Sequence, residues 1–290
     1  MVVGAERCGT TWLADMLRQH RDVFIPVQKE IHYFNRKFVD FPDIDNYNFD
    51  KPIDWYWRFY AEAAAGQKKG EVCPSYLWDI AAPERIHAFD PEIKIMVMLR
   101  NPIERTFSAY RFWMQRGVVR PMPFREAVKR YSDLLLQRSM YFDQLTRYYN
   151  FFPKEQIRVW CTDSSPATTM VSFLKDAEDF IGVQQFVPEN ALSRSNVTSV
   201  SRFWIISWLM ARFRRFLRRY RAFSWPVDLL RKVKIADQME FMRRRNMTET
   251  LPTEISMMTE QDRIWLTSLL QKDIQNLEAL LKIDLSAWRS

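Results

Sequence analysis

The 290 residues are 47% hydrophobic and 27% charged, which allows one large core and argues against wholesale disorder. The formal charge is +8, but residues 202–234 hold ten Lys/Arg against the single acid Asp228, so the rest of the chain is close to neutral. Nucleic-acid binding through a general positive field is therefore not expected.

The first strand is expected at Met1–Val3, with no leader segment before it. A Gly-containing turn leads into an amphipathic helix over Thr10–His20. Gly70–Val72 reads as a strand, followed by a helix over Ala82–Phe89. The run IKIMVML, Ile93–Leu99, is a buried-strand pattern bounded by Pro91 and Pro102. A helix over Ile103–Gln115 follows. Gln156–Cys161 is another strand, with a helix near Met170–Ile181. Strand–helix alternation predicts the α/β class: a P-loop-like parallel sheet flanked by helices, with a helical C-terminal part. One domain over 1–290 is expected, with an α/β nucleotide-binding core at 1–200 and a helical part at 201–290. The latter holds a basic stretch, Arg202–Arg221, and a last helix from about Thr259 to Lys282. No apolar run approaches the roughly 20 residues of a membrane span. Cys8, Cys73 and Cys161 are odd in number and lack metal-ligand spacing. A reducing, cytoplasmic location and no metal are expected, with Cys73 and Cys161 as core residues.

Ligands of such sheets bind beyond the carboxyl ends of the strands, so the functional residues should follow Val3, Val72 and Leu99. After Val3 comes Gly4-Ala5-Glu6-Arg7-Cys8-Gly9-Thr10-Thr11-Trp12, with P-loop spacing of Gly, four residues and Gly. Amides of such a loop converge on anionic oxygens, and the helix N-terminus adds a favourable partial charge. Thr10 stands where a nucleoside triphosphatase needs Lys, so a kinase or NTPase is the weaker rival. An ordinary strand–helix turn is the plainer alternative. After Leu99 comes Arg100-Asn101-Pro102-Ile103-Glu104-Arg105-Thr106-Phe107-Ser108. Arg100 at the strand end and Ser108 two helical turns on can converge on one phosphate. A helix start with surface arginines is the alternative there.

Acid–base chemistry needs a titratable side chain near such loops. His20 and His87 fall on helices and read as structural. Glu30 and His32, two apart in an extended segment, would point the same way and could share a proton. Solvated polar residues on a strand are the alternative.

GAERCGTTWL resembles the 5′-phosphosulfate loop of sulfotransferases that use 3′-phosphoadenosine 5′-phosphosulfate (PAPS), usually written with Lys-Ser-Gly-Thr-Thr. LRNPIERTFSAY resembles their 3′-phosphate motif. KEIHYF resembles the Lys-Glu-x-His-Phe-Phe segment of bacterial and glycan-modifying members. Arg138-Ser139-x-Tyr141, Phe152–Ile157 and Asp284–Trp288 resemble further family segments, so the likeness touches nearly the whole chain. The resemblance implies PAPS as sulfuryl donor and in-line transfer to an acceptor hydroxyl or amine. It implies that Arg7, Cys8, Gly9, Thr10 and Thr11 hold the phosphosulfate, with Arg7 in the catalytic place of the usual Lys. Trp12 would stack on adenine, Arg100 and Ser108 would bind the 3′-phosphate, and Tyr141 would join the nucleotide site. Arg105 would make a structural salt bridge. Glu30 would be the general base, with His32 beside it. Three positions depart from the pattern: Arg7 for Lys, Cys8 for Ser or Gly, and Val72 where many glycan-modifying relatives carry Lys. A small-molecule, lipid or glycan acceptor is expected, and Val72 argues against the last. A nucleotide-binding protein that has lost catalysis is the alternative.

From Arg212 to Arg221, Phe213, Phe216, Leu217 and Tyr220 share one helical face, with Arg214, Arg215, Arg218, Arg219 and Arg221 opposite. Ser224-Trp225-Pro226 would end this helix, and Arg231, Lys232 and Lys234 extend its charge. The pattern predicts peripheral binding to an anionic membrane surface through residues 202–234. A core-packed helix with a solvated charged side, an acidic protein partner and a membrane scaffold built on this helix are the alternatives.

Overall fold

A computed structural model describes residues 1–162, 167–192, 200–201, 204–219, 247–248 and 257–289. In chain order the elements are β1 (Val2–Gly4), α1 (Thr10–Arg18), β2 (Val23–Phe24), α2 (Ile53–Trp57), β3 (Lys68–Lys69), α3 (Ala82–Phe89), β4 (Ile95–Leu99), α4 (Pro102–Gln115), α5 (Phe124–Arg130), α6 (Ser132–Leu135), α7 (Tyr141–Tyr149), β5 (Ile157–Cys161), α8 (Ala167–Ile181), β6 (Val200–Ser201), α9 (Trp204–Arg219), β7 (Met247–Thr248) and α10 (Glu260–Leu281).

The central sheet is parallel, in the order β1-β4-β5. All five residues of β4 are buried, because a middle strand covered by helices on both faces must be apolar throughout. At the edge, β5 buries Ile157 and Trp160 and exposes Arg158. This is the expected α/β architecture, with one correction. Gly70–Val72 is not a full strand. Lys68–Lys69 pair with β2 instead, and Val72 alone bridges Val2. The Cys73 amide still reaches the Val2 carbonyl at 3.0 Å, but Pro74 has no N–H to continue the ladder.

The turn from β1 into α1 requires Gly9. It caps the helix at φ 92, and a Cβ there would lie 3.3 Å from both Met98 and Met170. At the other end of the chain, Thr259 and Asp262 form a capping box that starts α10. Leu266, Leu270, Ile274 and Leu277 recur at helical spacing and join the same apolar core as β4. From this helix the Asp273 carboxylate accepts the amides of Tyr141 at 2.8 Å and Phe142 at 3.2 Å, fixing the start of α7. Burial pushes Asp273 up to about 6.

The second correction concerns α9. Its arginine face is only partly turned to solvent: Arg215 and Arg219 are exposed, whereas Arg214 and Arg218 turn inward. Ser207 and Ala211 are buried, and a Cβ on Gly117 would sit 2.2 Å from the Ser207 backbone. That close approach brings arginines onto the body of the protein. Arg214 donates to the Arg116 carbonyl at 3.1 Å, Arg215 pairs with Asp43, and Arg218 pairs with Asp40. Phe213 and Phe216 are exposed instead, and Leu217 is half-buried. Tyr220, Arg221, Ser224-Trp225-Pro226, Arg231, Lys232 and Lys234 lie outside the described residues.

Candidate functional site: two anion loops and an acid–base pair

The first loop is tied to the sheet by the Ala5 amide, which donates to the Met98 carbonyl at 2.8 Å. Its Glu6 carboxylate is held by Arg105 at 3.3 Å, by Arg138 at 3.0 and 3.1 Å, and by the Trp78 indole at 3.1 Å. Both guanidinium groups are buried, and Arg138 also lies 4.1 Å over the Trp78 ring. Burial pulls Arg138 below its ordinary range, and Glu6 opposes that shift. Arg105 thus makes the salt bridge that its motif implied.

Clamping Glu6 leaves the next residue, Arg7, free of that carboxylate. Arg7 has φ 68 and donates from Nε to Ser108 Oγ at 3.2 Å, joining the two loops directly. Its guanidinium lies 4.6 Å over Phe112. Desolvation first, and then the like charge of Arg105, lower Arg7 to about 10; Arg100 and Arg116 add to the repulsion. Cations brought together at this cost make a site that an anion would relieve. Arg100 is half-buried and lies 3.8 Å from Glu104, which also pairs with Arg263. Tyr141 donates to the Arg100 carbonyl at 3.1 Å.

Cys8 is buried, 3.7 Å from the Tyr141 hydroxyl, and burial pushes its thiol up. A protonated thiol there is a packing group, not a nucleophile. Cys73 is buried too, while Cys161 is half-buried. Thr10 opens α1 from a buried position. Trp12 is buried, with its indole N–H donating to the Ala191 carbonyl at 3.0 Å.

Glu30 and His32 do meet, but by another route than an extended strand. Both have left-handed backbones, φ 64 and 57, and the Glu30 carboxylate lies 3.7 Å from His32 Nε2. The reason is a set of long-range hydrogen bonds that outweigh local preference. Asn46 donates to the His32 carbonyl at 2.6 Å, and Asn48 to the Ile31 carbonyl at 3.0 Å. From behind, the Tyr76 hydroxyl accepts the Tyr33 amide at 2.9 Å and donates to Glu71 at 2.7 Å. Glu71 also accepts from Tyr56 at 2.9 Å, and burial pushes it up to about 7. His32 Nδ1 lies 3.0 Å from Ser75 Oγ and 3.2 Å from Asn35 Oδ1, which turns Nε2 to Glu30. Burial lowers the His32 imidazole against the opposing pull of Glu30 and Asn35. A neutral ring beside a carboxylate can orient it without competing for its charge. His20 bonds the Gln184 carbonyl at 2.7 Å, and His87 packs on Phe152. Both are structural.

Lys29 is the candidate site residue that sequence reasoning does not single out. Its ammonium donates to Thr11 Oγ1 at 2.6 Å and lies 3.5 Å from Glu30 Oε1. It links the first anion loop to the acid–base pair. The available signal is the KEIHYF segment itself, which sets Lys29 directly before Glu30.

A parallel sheet with a glycine-containing loop after β1 and a second loop opening α4 after β4 defines an α/β protein of the P-loop-like class. The chain belongs to the sulfotransferase family: a sulfotransferase domain matches residues 1–161. Heparan sulfate glucosamine 3-O-sulfotransferase 6 of Homo sapiens is 25% identical over 195 residues, covering 65% of this chain and 53% of that protein. The human 3B1 form is 26% identical over 196 residues, covering 65% of this chain and 47% of its own length. The chain thus spans about half the length of these curated relatives. A crystal structure of a sulfotransferase from Alicyclobacillus acidocaldarius superposes with a TM-score of 0.66 at 26% identity, covering 100% of this chain and 97% of that one.

Proposed function

We propose that this chain moves a sulfuryl group from PAPS to an acceptor hydroxyl or amine by in-line displacement, with Glu30 as general base. The observation that carries this reading is the Lys29 bridge, 2.6 Å from Thr11 and 3.5 Å from Glu30, which sets the base beside the anion loop. The residues suit a donor phosphorylated at both ends. Arg7, Gly9, Thr10 and Thr11 would hold the phosphosulfate, and Arg100 and Ser108 the 3′-phosphate. PAPS supplies the sulfuryl group. Glu30 takes the acceptor's proton as its oxygen or nitrogen bonds to sulfur, and the bond from sulfur to the bridging oxygen breaks. Arg7 and Lys29 stabilise the negative charge left on 3′-phosphoadenosine 5′-phosphate. His32 keeps the Glu30 carboxylate oriented.

The acceptor is a small molecule, a lipid or a glycan. Val72 lacks the amine that a glycan-modifying site would use. Free thiols at Cys8, Cys73 and Cys161 suit action in the cytoplasm.

Labelled PAPS incubated with lipid, glycan and small-molecule pools tests the proposal. Label should enter one pool, and Glu30→Gln should lower that transfer by about 10²–10⁴ while nucleotide binding is kept. Tight nucleotide binding with no transfer to any pool would favour a protein that has lost catalysis. Near wild-type transfer by Glu30→Gln would shift the base role to His32.

A further inference from the structure

Among the described residues, α9 carries a continuous apolar stripe on the face away from the body. Ile205, Leu209, Phe213 and Phe216 recur at spacings of four, four and three, and are 57%, 55%, 45% and 48% exposed. Ile206 widens the stripe at its start. A helix free to roll would bury these side chains. This one is held by its opposite face: Ser207 packs at Gly117, Ala211 is buried, Arg214 bonds the Arg116 carbonyl, and Arg218 pairs with Asp40 while lying 4.2 Å over the Phe38 ring. Exposure of the stripe is thus built into the docking of the helix.

The border of the stripe says what covers it. Exposed Arg212 and Arg219 line one edge, and Arg215 on the same side is 44% exposed in its pair with Asp43. The sequence around the helix, residues 202–234, holds the whole positive excess of the chain. Apolar side chains rimmed by arginine match the boundary between acyl chains and anionic headgroups, where guanidinium groups snorkel to phosphate. No helix among the described residues is long and apolar enough to cross a membrane. We propose that α9 docks the protein on an anionic lipid surface by inserting Ile205, Leu209, Phe213 and Phe216, with Arg212 and Arg219 meeting the headgroups. The arginines that face the body, Arg214 and Arg218, do not take part; they set the angle of the helix. Lipid docking does not depend on the transfer chemistry.

Co-sedimentation with vesicles of phosphatidylcholine, with and without phosphatidylserine, tests this. The wild-type chain should partition onto phosphatidylserine vesicles at least ten-fold better than onto neutral ones, and less as salt rises. Leu209→Gln, Phe213→Gln and Phe216→Gln combined should lower that partition at least ten-fold. The thermal shift given by adenosine 3′,5′-bisphosphate should stay unchanged in that variant, which controls for folding. Arg212→Gln with Arg219→Gln should weaken binding and flatten its salt dependence. Three results would overturn the proposal: no wild-type binding at low salt, undiminished binding by the triple variant, or a wild-type dimer in sedimentation that the triple variant abolishes. The last would assign the stripe to a second copy of the chain.

Discussion

Arginines grip the 38–43 segment from two sides, and the two grips differ in kind. On one side Arg138 donates to the Val39 carbonyl at 2.7 Å while it and Arg105 enclose Glu6, with both guanidinium side chains at most 3% exposed. On the other side Arg215 and Arg218 of α9 reach Asp43 and Asp40, and the Arg215–Asp43 pair is about half exposed. Water screens the Arg215–Asp43 pair but not the inner grip, while Arg218–Asp40 is itself largely buried. A buried ion pair costs most when one partner is removed, because the remaining charge is left without compensation. An exposed pair contributes little. The inner grip therefore fixes the shape of the anion loop, and the outer one orients a helix.

The largest effect should come from the inner grip. Glu6→Ala strands two buried guanidinium groups and should lower unfolding stability by about 3–5 kcal/mol in urea titration. Asp43→Asn, its counterpart on the outer side, should cost about 0–1 kcal/mol. Equal losses would erase the distinction between the two grips.

Between these limits lies Ser108→Ala. Loss of a hydrogen bond to a charged group should weaken binding of a 3′-phosphorylated nucleotide by about 1.5–3 kcal/mol. Calorimetry should find adenosine 5′-phosphosulfate, which lacks that phosphate, barely affected. Similar losses for both ligands would remove Ser108 from the 3′-phosphate site.

A smaller effect is expected behind the acid–base pair. Tyr76→Phe removes the hydroxyl that accepts the Tyr33 amide and serves buried Glu71, and should cost about 1–3 kcal/mol of stability. With the left-handed turn loosened, His32 should gain water and its imidazole should titrate higher, toward the ordinary range. The chain has three histidines, so labelled imidazole spectra can follow His32 directly. An unmoved His32 titration would mean that Asn46 and Asn48 hold the turn without Tyr76.

How much the sequence discloses follows the same division. The loops after β1 and β4 are legible because their chemistry is local: Gly9 must take a positive φ, and Pro102 must end a strand and begin a helix. Spacing is enough to name Arg100 and Ser108, and the resemblance names Arg7, but neither finds the direct hydrogen bond from Arg7 to Ser108. The backbone at Glu30 and His32 reads as extended from its own residues, because its left-handed turns are imposed by Asn46, Asn48 and Tyr76 from other segments. Periodicity shows that α9 has two faces but not which one is buried. The alternation of apolar and charged residues is the same either way, and the decision rests on Gly117, Asp40 and Asp43, far off in the sequence. The short helices α5, α6 and α7 are not read from the sequence, where only the resemblance at Arg138, Ser139 and Tyr141 marks that region.

The central claim is that the two anion loops are built for an adenosine nucleotide phosphorylated at both its 3′ and 5′ ends. Thermal denaturation with adenosine 3′,5′-bisphosphate and no magnesium tests it most directly. At about a hundred times its dissociation constant this ligand should stabilise the protein by roughly 2.7 kcal/mol, and ATP with magnesium at the same concentration should do far less. Greater stabilisation by ATP with magnesium would contradict the account.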